Sequence, residues 1–193
     1  CPQTLTDTVL IRMKDMYSWS IKQEWLTWLP GMVCGLNISC RALAEQASQV
    51  ITNTPVYPPF LSSPRNSGLS CTKVPMVPKD GRFTIDFDHL RNLQTKKGDL
   101  FMFCHPHNPV GTNFTRNELT RLSEYVIERD LYICSDEIHC DLILEQSMLH
   151  IPFASLSEEI ASRTITLMAP SKTFNLAGFG CSFAVISNGE LRR

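Results

Sequence analysis

The feature that most restricts the fold is an alternation: short apolar runs ending in polar or proline-containing loops are separated by stretches with helical spacing. Residues 99–104 are apolar after the first position, so both faces of that strand need cover, as in a sheet with helices packed on either side. Further strands are expected at 25–29, where Trp25, Thr27 and Leu29 alternate with Leu26 and Trp28, and at 49–54, 70–78, 131–134 and 164–168. Leu5, Val9, Met13 and Met16-Tyr17 recur at helical spacing with Asp7 as a cap, and a second helix is expected over 33–47. Asp86 caps a short helix reaching Leu93. Thr115-Arg116-Asn117-Glu118 is a capping box ahead of Leu119, Leu122, Val126 and Ile127, and Ser155-Leu156-Ser157-Glu158 starts another helix. Strands alternating with helices predict an α/β fold, a mostly parallel sheet with right-handed crossovers and helices on both faces. No internal repeat or linker divides the 193 residues, and 43% apolar content is enough for a sizeable core.

Charge and cysteine usage narrow the function classes. With 18 basic and 19 acidic residues the formal charge is -1, so nothing favours nucleic acid or an anionic membrane as partner. No apolar run approaches the ~20 residues of a membrane span and no secretory leader begins the chain, so a cytoplasmic protein is expected. Eight scattered cysteines, several inside apolar runs such as Phe101-Met102-Phe103-Cys104, read as reduced core residues because no Cys-x-x-Cys pair is present. Zinc is not expected: Cys104, His105, His107, Cys134, His139 and Cys140 have only loose spacing.

The chemistry gathers where the apolar runs end. In parallel sheets ligands collect beyond the carboxyl ends of the strands, and Tyr57, Asn108, Asp136 and Lys172 each follow one. A lysine there can bond a carbonyl carbon if its amine is kept neutral by desolvation or a neighbouring cation. The order strand, Pro30-Gly31, helix makes an anion site of the amides near Val33 and Cys34, and three prolines hold Tyr57 in place.

In this order, Trp28-Leu29-Pro30-Gly31, Thr54-Pro55-Val56-Tyr57-Pro58-Pro59-Phe60, His105-Pro106-His107-Asn108-Pro109-Val110-Gly111, Ser135-Asp136-Glu137-Ile138-His139 and Ser171-Lys172-Thr173-Phe174-Asn175 resemble the fold-type I pyridoxal-phosphate enzymes of the class I/II aminotransferase superfamily. The likeness is strongest to the cystathionine β-lyase-like branch of carbon–sulfur lyases. It implies that Lys172 bonds pyridoxal 5′-phosphate and moves the substrate Cα proton, and that Asp136 pairs with the pyridine nitrogen. It further implies that Asn108 donates to the phenolic oxygen, Tyr57 stacks on the ring, and Val33, Cys34 and Ser171 hold the phosphate. His139 stands where many aminotransferases carry a tyrosine reaching the phenolic oxygen. Two positions depart from the pattern: Cys34-Gly35, where the branch often has proline and a small residue, and Ala169, where relatives often have a second hydroxyl.

The expected fold is accordingly the large domain of the aspartate aminotransferase-like architecture, with residues 1–193 forming part of it and the small C-terminal domain and its carboxylate-gripping arginine absent. The implied reaction is β-elimination from cystathionine or another cysteine-type amino acid, giving thiol, ammonia and a 2-oxo acid in a homodimer. Transamination and an inactive cofactor-binding fragment are the alternatives.

Overall fold

The computed structural model describes residues 1–145 and 147–193. Its first element is α1 (Gln3–Tyr17), which buries Thr6, Val9 and Met13 and leaves Leu5 and Met16 exposed. The cap is Pro2 rather than the expected Asp7, which lies within the helix and accepts a hydrogen bond from Gln3. A single turn leads into β1 (Leu26–Leu29), and α2 (Met32–Ala42) follows Pro30-Gly31. The helix expected to reach residue 47 stops at Ala42, because the chain turns over 43–46 while keeping Leu43 and Ala47 buried. Then come β2 (Gln49–Thr54), α3 (Pro59–Asn66), β3 (Ser70–Pro75), β4 (Val77–Lys79), β5 (Arg82–Thr84), α4 (Phe87–Asn92) and β6 (Leu100–Cys104). The chain continues through α5 (Arg116–Glu128), β7 (Tyr132–Asp136), α6 (Glu158–Ala161), β8 (Thr164–Met168) and β9 (Ser182–Val185).

Seven strands form one sheet in the order β1-β9-β8-β7-β6-β2-β3. Neighbours from β3 to β8 pair in parallel, whereas β9 runs antiparallel to both β8 and β1, so the sheet is mostly parallel, as expected. The expected strand over 70–78 is two strands in different sheets. Met76 is buried and its amide bonds the Thr54 carbonyl at 2.8 Å, after which β4 turns away to pair with β5. Pro75 and Pro78 have no amide hydrogen to extend a ladder, and Asp80 and Gly81, with φ of 51° and 78°, close the hairpin.

Side chains of the central strands alternate between two cores. Ile51, Phe101, Phe103 and Ile133 face Leu90, Leu119, Leu122 and Val126 from α4 and α5. Val50, Leu100, Met102, Cys134, Ile165 and Leu167 face Leu36, Cys40 and Phe60 from α2 and α3. A third cluster seats α1, through Val9 and Met13, with Met168, Phe183 and Val185. Gly35 lets α2 approach the sheet closely: a Cβ there would stand 3.1 Å from both Leu167 methyls and from Leu29 Cδ1. The caps at Asp86 and Thr115 form as expected, the latter as a full capping box with Glu118. In the Ser155–Glu158 motif the capping residue is Ser157, since Ser155 belongs to the preceding turn and bonds the Pro152 carbonyl.

Candidate active site

Because β1, β2, β6, β7 and β8 all point the same way, the segments after them emerge at one edge. The crossover from β2 leads outward to β3, while that from β6 leads the other way to β7. The crevice between β2 and β6 is therefore a topological switch point, where ligands bind in open α/β sheets. Tyr57 and Asn108 meet there: the Tyr57 amide donates to the Asn108 carbonyl at 3.2 Å. His107 clamps the same two loops, its Nε2 donating to the Pro55 carbonyl at 2.8 Å. Burial holds His107 below the ordinary histidine value despite that carbonyl. The Asn108 amide donates to Cys104 Sγ at 3.3 Å, and its side-chain amide has no partner among the described residues.

Asp136 is the last residue of β7, aligned with Cys104 on one side and Leu167 on the other. Its strand runs two residues beyond the expected end at 134. The residue is only 4% exposed, and one carboxylate oxygen accepts from the Ile138 amide at 3.2 Å. No cation pairs with it among the described residues. Burial pushes its carboxyl up to about 7; the Ile138 amide pulls the other way and nearby Glu137 adds to the rise. Glu137, one residue on and therefore on the opposite face of the strand, is differently served: it accepts from Ser135 Oγ at 2.8 Å, the Phe153 amide at 3.0 Å and His150 Nε2 at 2.6 Å. Glu137 thus has three donors, whereas Asp136 has the one from Ile138 among the described residues.

Lys172 follows β8 in a loop knit by its own backbone: the Phe174 amide bonds the Pro170 carbonyl at 2.9 Å and the Leu176 amide bonds that of Ser171 at 2.8 Å. Its Nζ has no hydrogen-bond or ion-pair partner among the described residues and is accessible to solvent. His139 lies between the loops, held below its ordinary value first by burial and then by the charge of Lys172, against the pull of the Pro106 carbonyl. The lysine loop returns at Gly180, whose φ of 57° and close approach to Pro30 suit glycine: a Cβ would stand 3.0 Å from the Pro30 carbonyl oxygen. That contact brings the loop beside the start of α2. The first helical bond there runs from the Gly35 amide to the Gly31 carbonyl, leaving the amides of Met32, Val33 and Cys34 without helical partners, and Gly31 has no side chain to cap them. Val33 and Cys34 are exposed and Ser171 is partly so.

The structure thus brings Tyr57, Asn108, Asp136, His139, Ser171, Lys172 and the amides of Val33 and Cys34 to one edge, with a direct bond only between Tyr57 and Asn108. An open cleft of about 800 Å³ beside them is lined by Arg82, Phe83, Asn108, His139, Leu144 and Met148 among others. Among the described residues, no group of three or more His, Cys, Asp or Glu is arranged to hold a metal ion, and no helix is long and apolar enough to cross a membrane. All eight cysteines are free thiols. Sequence reasoning missed the clamp of His107 and the pairing of Glu137 with His150. The His-Asn-Pro and Asp-Glu neighbours signal that polar groups are concentrated there, but not which of them bond each other.

A family model described as aminotransferase class I and II matches residues 4–193. This chain belongs to that family. It is 39% identical to the cystathionine β-lyase PatB of Bacillus subtilis (strain 168) over 99% of this chain and 49% of that protein. The crystal structure of OvoB superposes with a TM-score of 0.95 at 44% identity, covering 100% of this chain and 51% of that one. Cystalysin from Treponema denticola, solved with a pyridoxal 5′-phosphate cofactor, gives a TM-score of 0.88 at 36% identity over 99% of this chain and 48% of its own. The chain spans about half the length of the curated relatives it matches.

Proposed function

We propose that this chain carries the pyridoxal-phosphate-binding part of a carbon–sulfur β-lyase acting on cystathionine or a similar cysteine-type amino acid. The observation that carries the reading is Asp136, a buried carboxyl with no cation paired to it among the described residues, at the same sheet edge as the exposed Lys172 and a set of uncapped helix amides. The three groups fit the three ends of the cofactor: a protonated ring nitrogen for Asp136, an aldehyde for Lys172, and a phosphate for the amides of α2. Bound, pyridoxal phosphate supplies a carbon that takes the substrate's amine and a ring that draws off the electron pair left at Cα.

The chain's own residues do the rest. Lys172 would hold the cofactor through Nζ, and its amine would take the proton from the substrate Cα. Asp136 would hold the proton on the ring nitrogen, an interaction that its dry surroundings would strengthen. Asn108 would donate from its side-chain amide to the phenolic oxygen, and His139, beside Lys172, would orient that end. Tyr57 would stack on the ring, while Val33, Cys34 and Ser171 would hold the phosphate. Loss of the Cα proton and departure of the thiolate from Cβ give, after water enters, thiol, ammonia and a 2-oxo acid. Residues 1–193 are in this reading part of the large domain of a cytoplasmic homodimer; sedimentation equilibrium and cell fractionation test those two points.

Borohydride reduction after mixing with pyridoxal phosphate should leave the cofactor mass on Lys172, and Lys172→Ala should abolish it. Mass elsewhere, or none, refutes the cofactor assignment. With cystathionine, thiol and pyruvate should appear together. Amino transfer to an added oxo acid without thiol would instead make the protein an aminotransferase, the reading that the family's breadth keeps as second.

A further inference from the structure

Asp141 has no part in the reaction above, yet two distant segments of the chain meet on it. From α1, Arg12 Nη2 pairs with Oδ1 at 2.6 Å and the Tyr17 hydroxyl donates to the same oxygen. From the lysine loop, Thr173 Oγ1 donates to Oδ2 at 2.8 Å. The Arg12 guanidinium also lies 5.8 Å from the ring centroid of Phe174, so of the two residues that follow Lys172, Phe174 meets α1 directly and Thr173 through Asp141. Burial alone would raise the Asp141 carboxyl, but its donors Tyr17, Thr173 and Arg12 hold it below the ordinary value and keep it ionised.

The rest of the loop has little else to fix it. Its backbone bonds between residues 170 and 179 are internal to the loop, and Phe174, Leu176 and Phe179 are exposed, Phe179 at 83%. Among the described residues, the bond from Thr173 to Asp141 is the one side-chain hydrogen bond tying residues 170–180 to the remainder of the fold. A bond of this kind to an ionised acceptor is about twice as strong as a neutral one, so its loss frees the loop measurably.

We propose that Asp141 is a positioning residue for Lys172: anchored to α1 through Arg12 and Tyr17, its carboxylate holds the Thr173 hydroxyl and so sets where the neighbouring amine stands. The proposal rests on the reading of Lys172 as the residue that bonds the cofactor. Thr173→Val removes the donor at nearly constant shape, and Thr173→Ser keeps it. In the protein without cofactor, hydrogen exchange of residues 171–176 should speed about tenfold in Thr173→Val, the effect of one lost hydrogen bond to a charged group, with residues 100–104 unchanged. Capture of pyridoxal phosphate on Lys172 under borohydride should slow about tenfold in the same variant while reaching the same final level. Thr173→Ser should stay within about twofold of the parent in both measurements. Valine and serine variants behaving alike, or exchange in Thr173→Val matching the parent, would overturn the proposal. The exchange pattern as expected but with no capture on Lys172 in the parent would support the tether and sink the cofactor reading alone.

Discussion

Replacing Asp136 with asparagine should make the cofactor-free protein more stable, and the pH at which the gain appears is set by the site itself. The buried carboxyl titrates at about 7 against an ordinary 3.8. Between those values the folded chain holds a proton that the unfolded chain has released, so stability falls as pH rises through that window and is flat above it. At about pH 8 the full penalty is present, at most about 4 kcal/mol, and about 1–3 kcal/mol once local relaxation is allowed for. For a chain of this size that is a rise in the thermal midpoint of about 3–9 °C for Asp136→Asn. Scanning calorimetry of both proteins, free of cofactor, from about pH 5 to pH 8 should show the gap widening with pH and closing toward about pH 4. Saturating pyridoxal phosphate should reverse the order, because only the parent has a charge to match a cationic ring nitrogen. A variant no more stable than its parent at about pH 8 would refute the argument that burial without a cation strains this carboxyl.

Other changes test the frame around the site. His150→Phe removes one of the three donors to buried Glu137, leaving Ser135 Oγ and the Phe153 amide, and should cost about 1–3 kcal/mol by urea unfolding. Gly35→Val forces a branched side chain onto Leu167 and Leu29, and should lower stability by about 1–3 kcal/mol while weakening anion binding at the adjacent helix start. Glu118→Ala removes the acceptor of Arg82, Thr84 and the Thr115 cap together, for a loss of about 2–3 kcal/mol in a denaturant titration. Burial raises the Glu118 carboxyl but those donors hold it below 4.5. Its contribution is therefore complete above that value and is lost as the pH falls through the folded value.

What the sequence discloses and what it hides divide along physical lines. The strand at 100–104 is legible because both faces are buried, which leaves an uninterrupted apolar run, and that at 164–168 because β-branched Thr164, Ile165 and Thr166 lead into Leu167 and Met168. Caps at Asp86 and Thr115 are legible because the side chain that accepts and the amide that donates are three residues apart. Asp7 misleads because an acidic residue in an early helical turn looks the same whether it caps or lies inside. The run over 70–78 hides a change of sheet, since pairing partners are chosen by residues far away and only the two prolines hint at the break. For the site, the segments that end at Tyr57, Asn108, Asp136 and Lys172 can be ordered from local pattern, and topology then brings them together. The partners that hold them cannot. Asp141 lies roughly 130 positions from Arg12 and roughly 30 from Thr173, separations at which no short-range spacing rule operates.

The pairing of β1 with β9 bears on how the chain is made. Leu26 waits for Val185, roughly 160 positions later, which at ribosomal speeds of about 5–20 residues per second is about 10–30 seconds after its own emergence. Throughout that interval Val9, Met13 and Trp19 lack the surface formed by Met168, Phe183 and Val185. A nascent polypeptide of this design presents sticky side chains on α1 until β9 is synthesised, and ribosome-associated holdases should be found crosslinked there on stalled ribosomes.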